Sequence, residues 1–218
     1  MLKLYYPVAA ILYVVIFALR VFDVFQVARF FIPVFVLLTA IASFVNARDR
    51  SFKQGSLMLS IALLVAFCAD TVINLVDPIL PVKVGVIIFL ACHICLLIYF
   101  FRKKSFEAKE LLYILPLLGI SAIFCIAIVP LIESALLMYG VPFYMLLLTL
   151  MLWRAVCLYK DKDNVKIILG AILFFITDIS VIMIQAYGNI TPLRIETWAV
   201  YPHALFLLSL VDNKEKAV

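Results

Sequence analysis

The chain has 218 residues, 67% of them hydrophobic and 14% charged, with a mean hydropathy of +1.22. A soluble globule of this size cannot hide that much apolar side chain, because its surface must be largely solvated; the chain reads as a polytopic membrane protein. Its net charge of +5 sits in short loops between apolar runs, so it is no signal for nucleic acid.

Eight apolar runs follow one another, at 4–20, 29–46, 55–76, 83–101, 110–129, 133–154, 165–187 and 195–211. Each approaches or exceeds the length needed to cross a hydrocarbon core of about 30 Å as a helix. The pattern predicts an all-α fold: one transmembrane domain over residues 1–218, a polytopic integral membrane bundle of eight transmembrane helices. The first run follows Lys3 and continues to Leu19 without a small-residue cleavage site, so it reads as a spanning helix and not as a removed signal peptide. Pro33, Pro116 and Pro142 fall inside runs two, five and six, where neighbouring helices must satisfy the freed carbonyls.

The third run, GSLMLSIALLVAFCADTVINLV (Gly55–Val76), carries one charge, Asp70, and the seventh, VKIILGAILFFITDISVIMIQAY (Val165–Tyr187), carries Asp178 well inside it. Away from the ends of the runs these are the only formal charges. A carboxylate there costs roughly 2.5–3.5 kcal/mol on insertion scales and needs a partner, a proton or a task. Two readings stand side by side: helix–helix hydrogen bonds that fix packing, and a functional pair of acids. Asn74 lies one turn beyond Asp70 on the same face; Thr177 adjoins Asp178; Gln185 lies two turns on.

Run four holds Cys92-His93-Ile94-Cys95, which lacks a second ligand pair at usable spacing, and all five cysteines fall in apolar runs where they pack as small hydrophobes. No metal and no cofactor is expected. His93 is a candidate proton shuttle or orienter for an acid, or a satisfied core histidine. Tyr144 in run six and Tyr201 in run eight lie at comparable depth and, with His93, are candidates for lining a shared cavity. Trp198 reads as an interfacial belt residue, and Tyr201-Pro202-His203 as a helix distortion. Asp70 and Asp178 are 108 positions apart, and so are His93 and Tyr201. That coincidence suggests two four-helix halves with a site at their interface.

Orientation follows from Lys and Arg. With eight spans, one side holds fourteen of them, including Arg48, Arg102, Lys103, Lys104, Arg154 and Lys160, and the other holds Arg20, Arg29, Lys83 and Arg194. The expectation is a multi-pass protein with both termini in the cytoplasm, in the inner membrane if the cell is bacterial. The parts of nucleotide hydrolases, serine esterases and zinc proteases are missing from the sequence: no G-x-x-x-x-G-K-[ST], G-x-S-x-G or H-E-x-x-H occurs.

IALLVAFCADTVINL (Ile61–Leu75), Gly85, Phe89 and His93 in VGVIIFLACH, YMLLLTLMLWRA (Tyr144–Ala155) and GAILFFITD (Gly170–Asp178) resemble, in this order, the YhhN-like lysoplasmalogenases. The likeness covers runs two to eight. The chain departs from the family pattern at Ala69, where Gly is usual, and at Thr177, Ile32, Leu96 and Leu205, where Ser, Lys, Tyr and Gln are common. The resemblance implies hydrolysis of the vinyl ether bond of a lysophospholipid drawn from membrane lipid. The products would be a fatty aldehyde and glycerophospho-ethanolamine or -choline. Asp70 and Asp178 would be the catalytic acid–base pair, with His93, Asn74, Tyr144, Tyr201 and Thr177 binding or orienting the substrate. The competing class is non-enzymatic: a proton-coupled transporter or lipid carrier using the same acids, or a membrane protein whose acids only lock packing.

Overall fold

The computed structural model describes residues 2–49, 56–75, 81–160, 164–188 and 191–210, and these are all-helical. Eight long helices succeed one another: α1 (Leu2–Val21), α2 (Phe25–Asp49), α3 (Ser56–Leu75), α4 (Pro81–Lys103), α5 (Leu111–Ile128), α6 (Ala135–Val156), α7 (Val165–Tyr187) and α8 (Thr191–Ser209). Short 3-10 turns, Ala108–Glu110 and Val129–Leu131, flank α5. The helices fall on the eight predicted runs; the predicted ends at Gly55, Val76 and Val211 lie outside the described residues. In hydrocarbon every backbone N–H and C=O must be satisfied within the chain, and a continuous helix does this locally.

Seven helices, α1 to α7, are long and apolar enough to span a membrane, which makes this an integral multi-pass membrane protein. The exception is α8. It opens with Thr191, Arg194, Glu196 and Thr197, and this polar start lowers its hydropathy below that of the rest. The expected count of eight spans therefore rests on a helix whose own composition does not establish it.

Burial on α3 falls on Leu59, Ala62, Leu63, Ala66, Ala69 and Asp70, and on α7 on Ile167, Gly170, Ala171, Phe174, Thr177, Asp178 and Ile182. These are the i, i+3, i+4, i+7 stripes of helices that face a core. Each aspartate thus sits on the buried stripe of its helix, not on the lipid side. The pairs α3–α4 and α7–α8 are the most closely packed, α2 lies against α3, and α4 and α6 meet although α5 separates them in sequence. By contrast, α5 is apolar all round and leaves Leu112, Leu115, Ile123 and Ile126 exposed, packing chiefly on α6.

Close approach of α3 and α4 depends on Gly85: a Cβ there would lie 2.2 Å from Ile73 Cγ1. Small residues bring membrane helices together in this way. Gly188 closes α7 with φ 83 and ψ -174, an extended positive-φ backbone that glycine adopts without steric cost. Pro7, Pro33, Pro116, Pro142 and Pro202 are all accommodated inside helices. In particular, α8 runs unbroken through Tyr201-Pro202-His203, where the sequence suggested a distortion.

One buried charge cluster escaped the sequence reading because its members sit at run ends. Arg154 Nη1 donates to Glu110 Oε2 at 2.6 Å, both side chains being essentially inaccessible (0% and 2% exposed). Arg154 Nη2 donates to the Lys104 carbonyl (2.7 Å), Trp153 Nε1 to the Glu110 carbonyl (2.7 Å), and Lys104 Nζ also pairs with Glu110. The cluster ties the α4–α5 connection to the end of α6. Arg154, read from sequence as a loop charge, is a core group. Removing Glu110 strands the fully buried Arg154 guanidinium, so Glu110→Leu is expected to destabilise the detergent-solubilised protein by about 3–5 kcal/mol in denaturant unfolding, while the double variant Arg154→Leu/Glu110→Leu regains most of the loss. A single variant as stable as the parent would show the pair to be solvated.

Candidate active site

Asp70 on α3 and Asp178 on α7 line one cavity of about 350 Å³, enclosed by α3, α4, α6, α7 and α8. That is within the size range of small-molecule sites. Its walls are mostly apolar, among them Ile73, Val86, Phe89, Leu90, Val141, Val181 and Ile182. Tyr144, Tyr201, Asn74, Thr177, Thr197, Trp198 and Gln185 also border it.

Two phenols address the two acids separately. Tyr201 Oη donates to Asp70 Oδ2 at 2.5 Å, and Tyr144 Oη donates to Asp178 Oδ1 at 3.0 Å. The other Asp178 oxygen, Oδ2, lies 2.9 Å from His93 Nε2. His93 is fully buried and does not border the cavity; it stands behind Asp178, where the sequence reading had placed it among lining candidates. Its Nδ1 is 2.6 Å from the Phe89 carbonyl. A carbonyl only accepts, so Nδ1 carries a hydrogen, and the short Nε2···Oδ2 contact then requires one further proton between imidazole and carboxyl. The His93–Asp178 unit is therefore an ion pair or a neutral imidazole with a carboxylic acid: one proton, two possible seats. Asp70 has no histidine. Among the described residues the hydrogen bond to its carboxyl comes from Tyr201 alone.

Partners cross between the two ends of the chain. Asp70 on α3 is held from α8, and Asp178 on α7 is held from α4 and α6. The residues 108 positions apart are thus used reciprocally, each acid meeting the residue that matches the other acid's partner. Phe89 and Phe174 fill the space between, with His93 5.0 Å from Phe174 and Tyr201 5.7 Å from Phe174, ring centre to ring centre.

Other candidates fare differently. Asn74 donates to the backbone carbonyl of Asp70 (2.8 Å) and not to its carboxyl, because an i,i+4 side chain finds the nearer helix carbonyl first. Thr177 is buried at the cavity wall, but its hydroxyl bonds the Leu173 carbonyl at 2.9 Å. Trp198 is not a simple belt residue: it borders the cavity, packs against Tyr201 and lies under the Arg20 guanidinium at 4.6 Å. His203 is exposed on another face, edge-on to Tyr13 at 4.6 Å. Sequence reasoning missed Phe89 as the acceptor that fixes the His93 tautomer, although the i, i+4 spacing from Phe89 to His93 was visible.

A membrane-embedded helical bundle with two carboxyls at the wall of one apolar chamber defines the class. The chain belongs to the YhhN family, whose model matches residues 28–211, from α2 to the end of the described bundle. No curated protein and no solved structure matches it.

The separate phenol contacts make a spectroscopic prediction. In difference infrared spectra assigned with Asp70→Asn and Asp178→Asn, Tyr201→Phe should move only the Asp70 carboxyl band and Tyr144→Phe only that of Asp178. A phenol variant that shifts neither band would remove that hydrogen bond from the site.

Proposed function

We propose that the chain hydrolyses the vinyl ether bond of lysoplasmalogens, releasing a fatty aldehyde and a glycerophospho-ethanolamine or -choline. The observation that carries this reading is the pair of carboxyls lining one apolar cavity in a bundle of the YhhN family. Vinyl ether hydrolysis needs a proton donor aimed at carbon, a group that tolerates a developing cation, and a base for water. Two acids in distinct hydrogen-bond settings can supply all three.

The settings suggest the division of labour. Asp70, with one oxygen fixed by Tyr201, donates its proton to the outer carbon of the C=C–O unit. The neighbouring carbon becomes an oxocarbenium ion, which the Asp178 carboxylate faces. Water adds to that carbon and gives its proton to the Asp178–His93 unit, leaving a hemiacetal. Collapse breaks the bond to the glycerol oxygen: the hemiacetal hydroxyl proton leaves, the glycerol oxygen takes one up, and aldehyde and alcohol separate. The proton held by Asp178–His93 then returns to Asp70, so the cycle is balanced. Tyr144 and the Phe89 carbonyl hold Asp178 and His93 in place throughout. The excess of Lys and Arg on the termini side supports cytoplasmic termini, which sets the cavity nearer the opposite leaflet.

Purified protein incubated with lysoplasmenylethanolamine is expected to release aldehyde, and Asp70→Asn and Asp178→Asn should each lower the rate at least about 100-fold while the variants stay folded, since positioned acid–base groups are worth roughly 10²–10⁴. His93→Gln, which keeps a hydrogen-bond donor but cannot store the proton, should fall between them and the parent. Unaltered release in both aspartate variants would take the acids out of the mechanism. Uptake into proteoliposomes driven by a pH gradient, with no lipid product, would favour a transporter.

A further inference from the structure

The acid-lined cavity reaches the membrane through the seam between α4 and α6. Ile87 on α4 and Leu136 and Phe143 on α6 all border the cavity, yet they are 61%, 59% and 62% exposed. Lining side chains this exposed mark the open side of the cavity. Gly140 sits among them: it borders the cavity, is itself exposed, and a Cβ placed there meets nothing within 4 Å. Leu136, Gly140 and Phe143 share one face of α6 at i, i+4, i+7, and the neighbouring stripe of Leu137, Val141 and Tyr144 leads inward to Asp178. The two helices are parallel, both starting on the face opposite the start of α1. Ile87 is the seventh residue of α4 and Gly140 the sixth of α6, so the mouth lies about 8–9 Å along each axis.

We propose that this mouth is a lateral portal for the hydrocarbon chain of a single-chain lipid, and that Gly140 sets its width. The identity of the chain as an alkenyl ether rests on the hydrolase reading above. The portal's rim is hydrocarbon only, and it faces the bilayer, which fits a methylene chain and not a head group. The polar end has another route. Asn74 lies one turn beyond Asp70 and Gln185 two turns beyond Asp178, both toward the same membrane face, and both border the cavity. A lipid with its head beside these amides places the first bonds of its chain between the acids and sends the rest out past Gly140. A cavity of about 350 Å³ holds the reacting end and leaves the tail in the membrane.

A Cβ at Gly140 meets no neighbour, so Gly140→Phe is the variant expected to fill the mouth, and Gly119→Phe is its control. Gly119 lies on α5, is equally open, and does not border the cavity. With a long-chain lysoplasmenyl lipid, Gly140→Phe is expected to lower kcat/KM at least tenfold, while a short-chain vinyl ether of glycerol stays within about twofold of the parent. Gly119→Phe should change neither. An equal loss on both substrates, or no loss on either, would overturn the portal. A second arm does not depend on catalysis: a photoactivatable single-chain lysolipid should label the α4 and α6 residues of the rim in the parent and in Gly119→Phe, and lose that labelling in Gly140→Phe. Should the parent release no aldehyde from any substrate, the hydrolase reading fails and this labelling alone decides the portal. Labelling elsewhere on the bundle, unaffected by Gly140→Phe, would refute it.

Discussion

A carboxyl group in an apolar bundle must be partnered from a helix other than its own, because its own backbone is already fully bonded. Here that requirement is met crosswise. Asp70 receives a phenol from α8, and Asp178 receives a phenol from α6 and an imidazole from α4. These three bonds draw α3, α4, α6, α7 and α8 around a common chamber. The rest of the chamber wall is mostly aliphatic and aromatic, with the amides of Asn74 and Gln185 and the hydroxyls of Thr177 and Thr197 at its border.

Packing serves this arrangement. The Gly85–Ile73 contact lets α4 come close enough to α3 for the two helices to act as one unit, and the tight α7–α8 pair is its counterpart. Away from the chamber a second polar lock, Arg154 with Glu110 and Lys104, fixes the ends of α4, α5 and α6. The two polar clusters differ in kind. One is closed off from any cavity, with hydrogen bonds distributed over side chains and carbonyls. The other faces a cavity, and one of its acids keeps a single hydrogen-bond partner. The first suits stability and the second suits chemistry, which is why the proposed catalytic proton is placed on Asp70 and the positioning work on Tyr144, Tyr201 and His93.

Much of this was legible in the chain. Apolar runs punctuated by short basic loops gave the helices, since length and hydropathy alone decide what can cross a bilayer. Two acids deep in such runs pointed to the site, because their cost there demands a reason. The pairing itself was less accessible. Tyr144 and Tyr201 could be placed at the right depth, but which acid each would meet depends on helix rotation and neighbour order, which no single run encodes. Depth put His93 near the acids yet could not tell a lining residue from one behind the wall. The ends of the runs misled most: Arg154 and Glu110 look solvated in sequence and are buried together, and Trp198 looks like a belt residue and borders the cavity. At a membrane boundary, position along the chain does not say whether a polar side chain turns outward to water or inward to a partner.

The central claim is that both carboxyls touch the same small molecule. A structure of the protein bound to a saturated alkyl-ether lysolipid, which cannot be hydrolysed, tests this most directly. The account requires the ether oxygen to lie between Asp70 and Asp178, within hydrogen-bonding distance of at least one carboxyl and in contact with the other. A lipid seated outside the chamber, or touching one carboxyl with protein packed against the other, would contradict it.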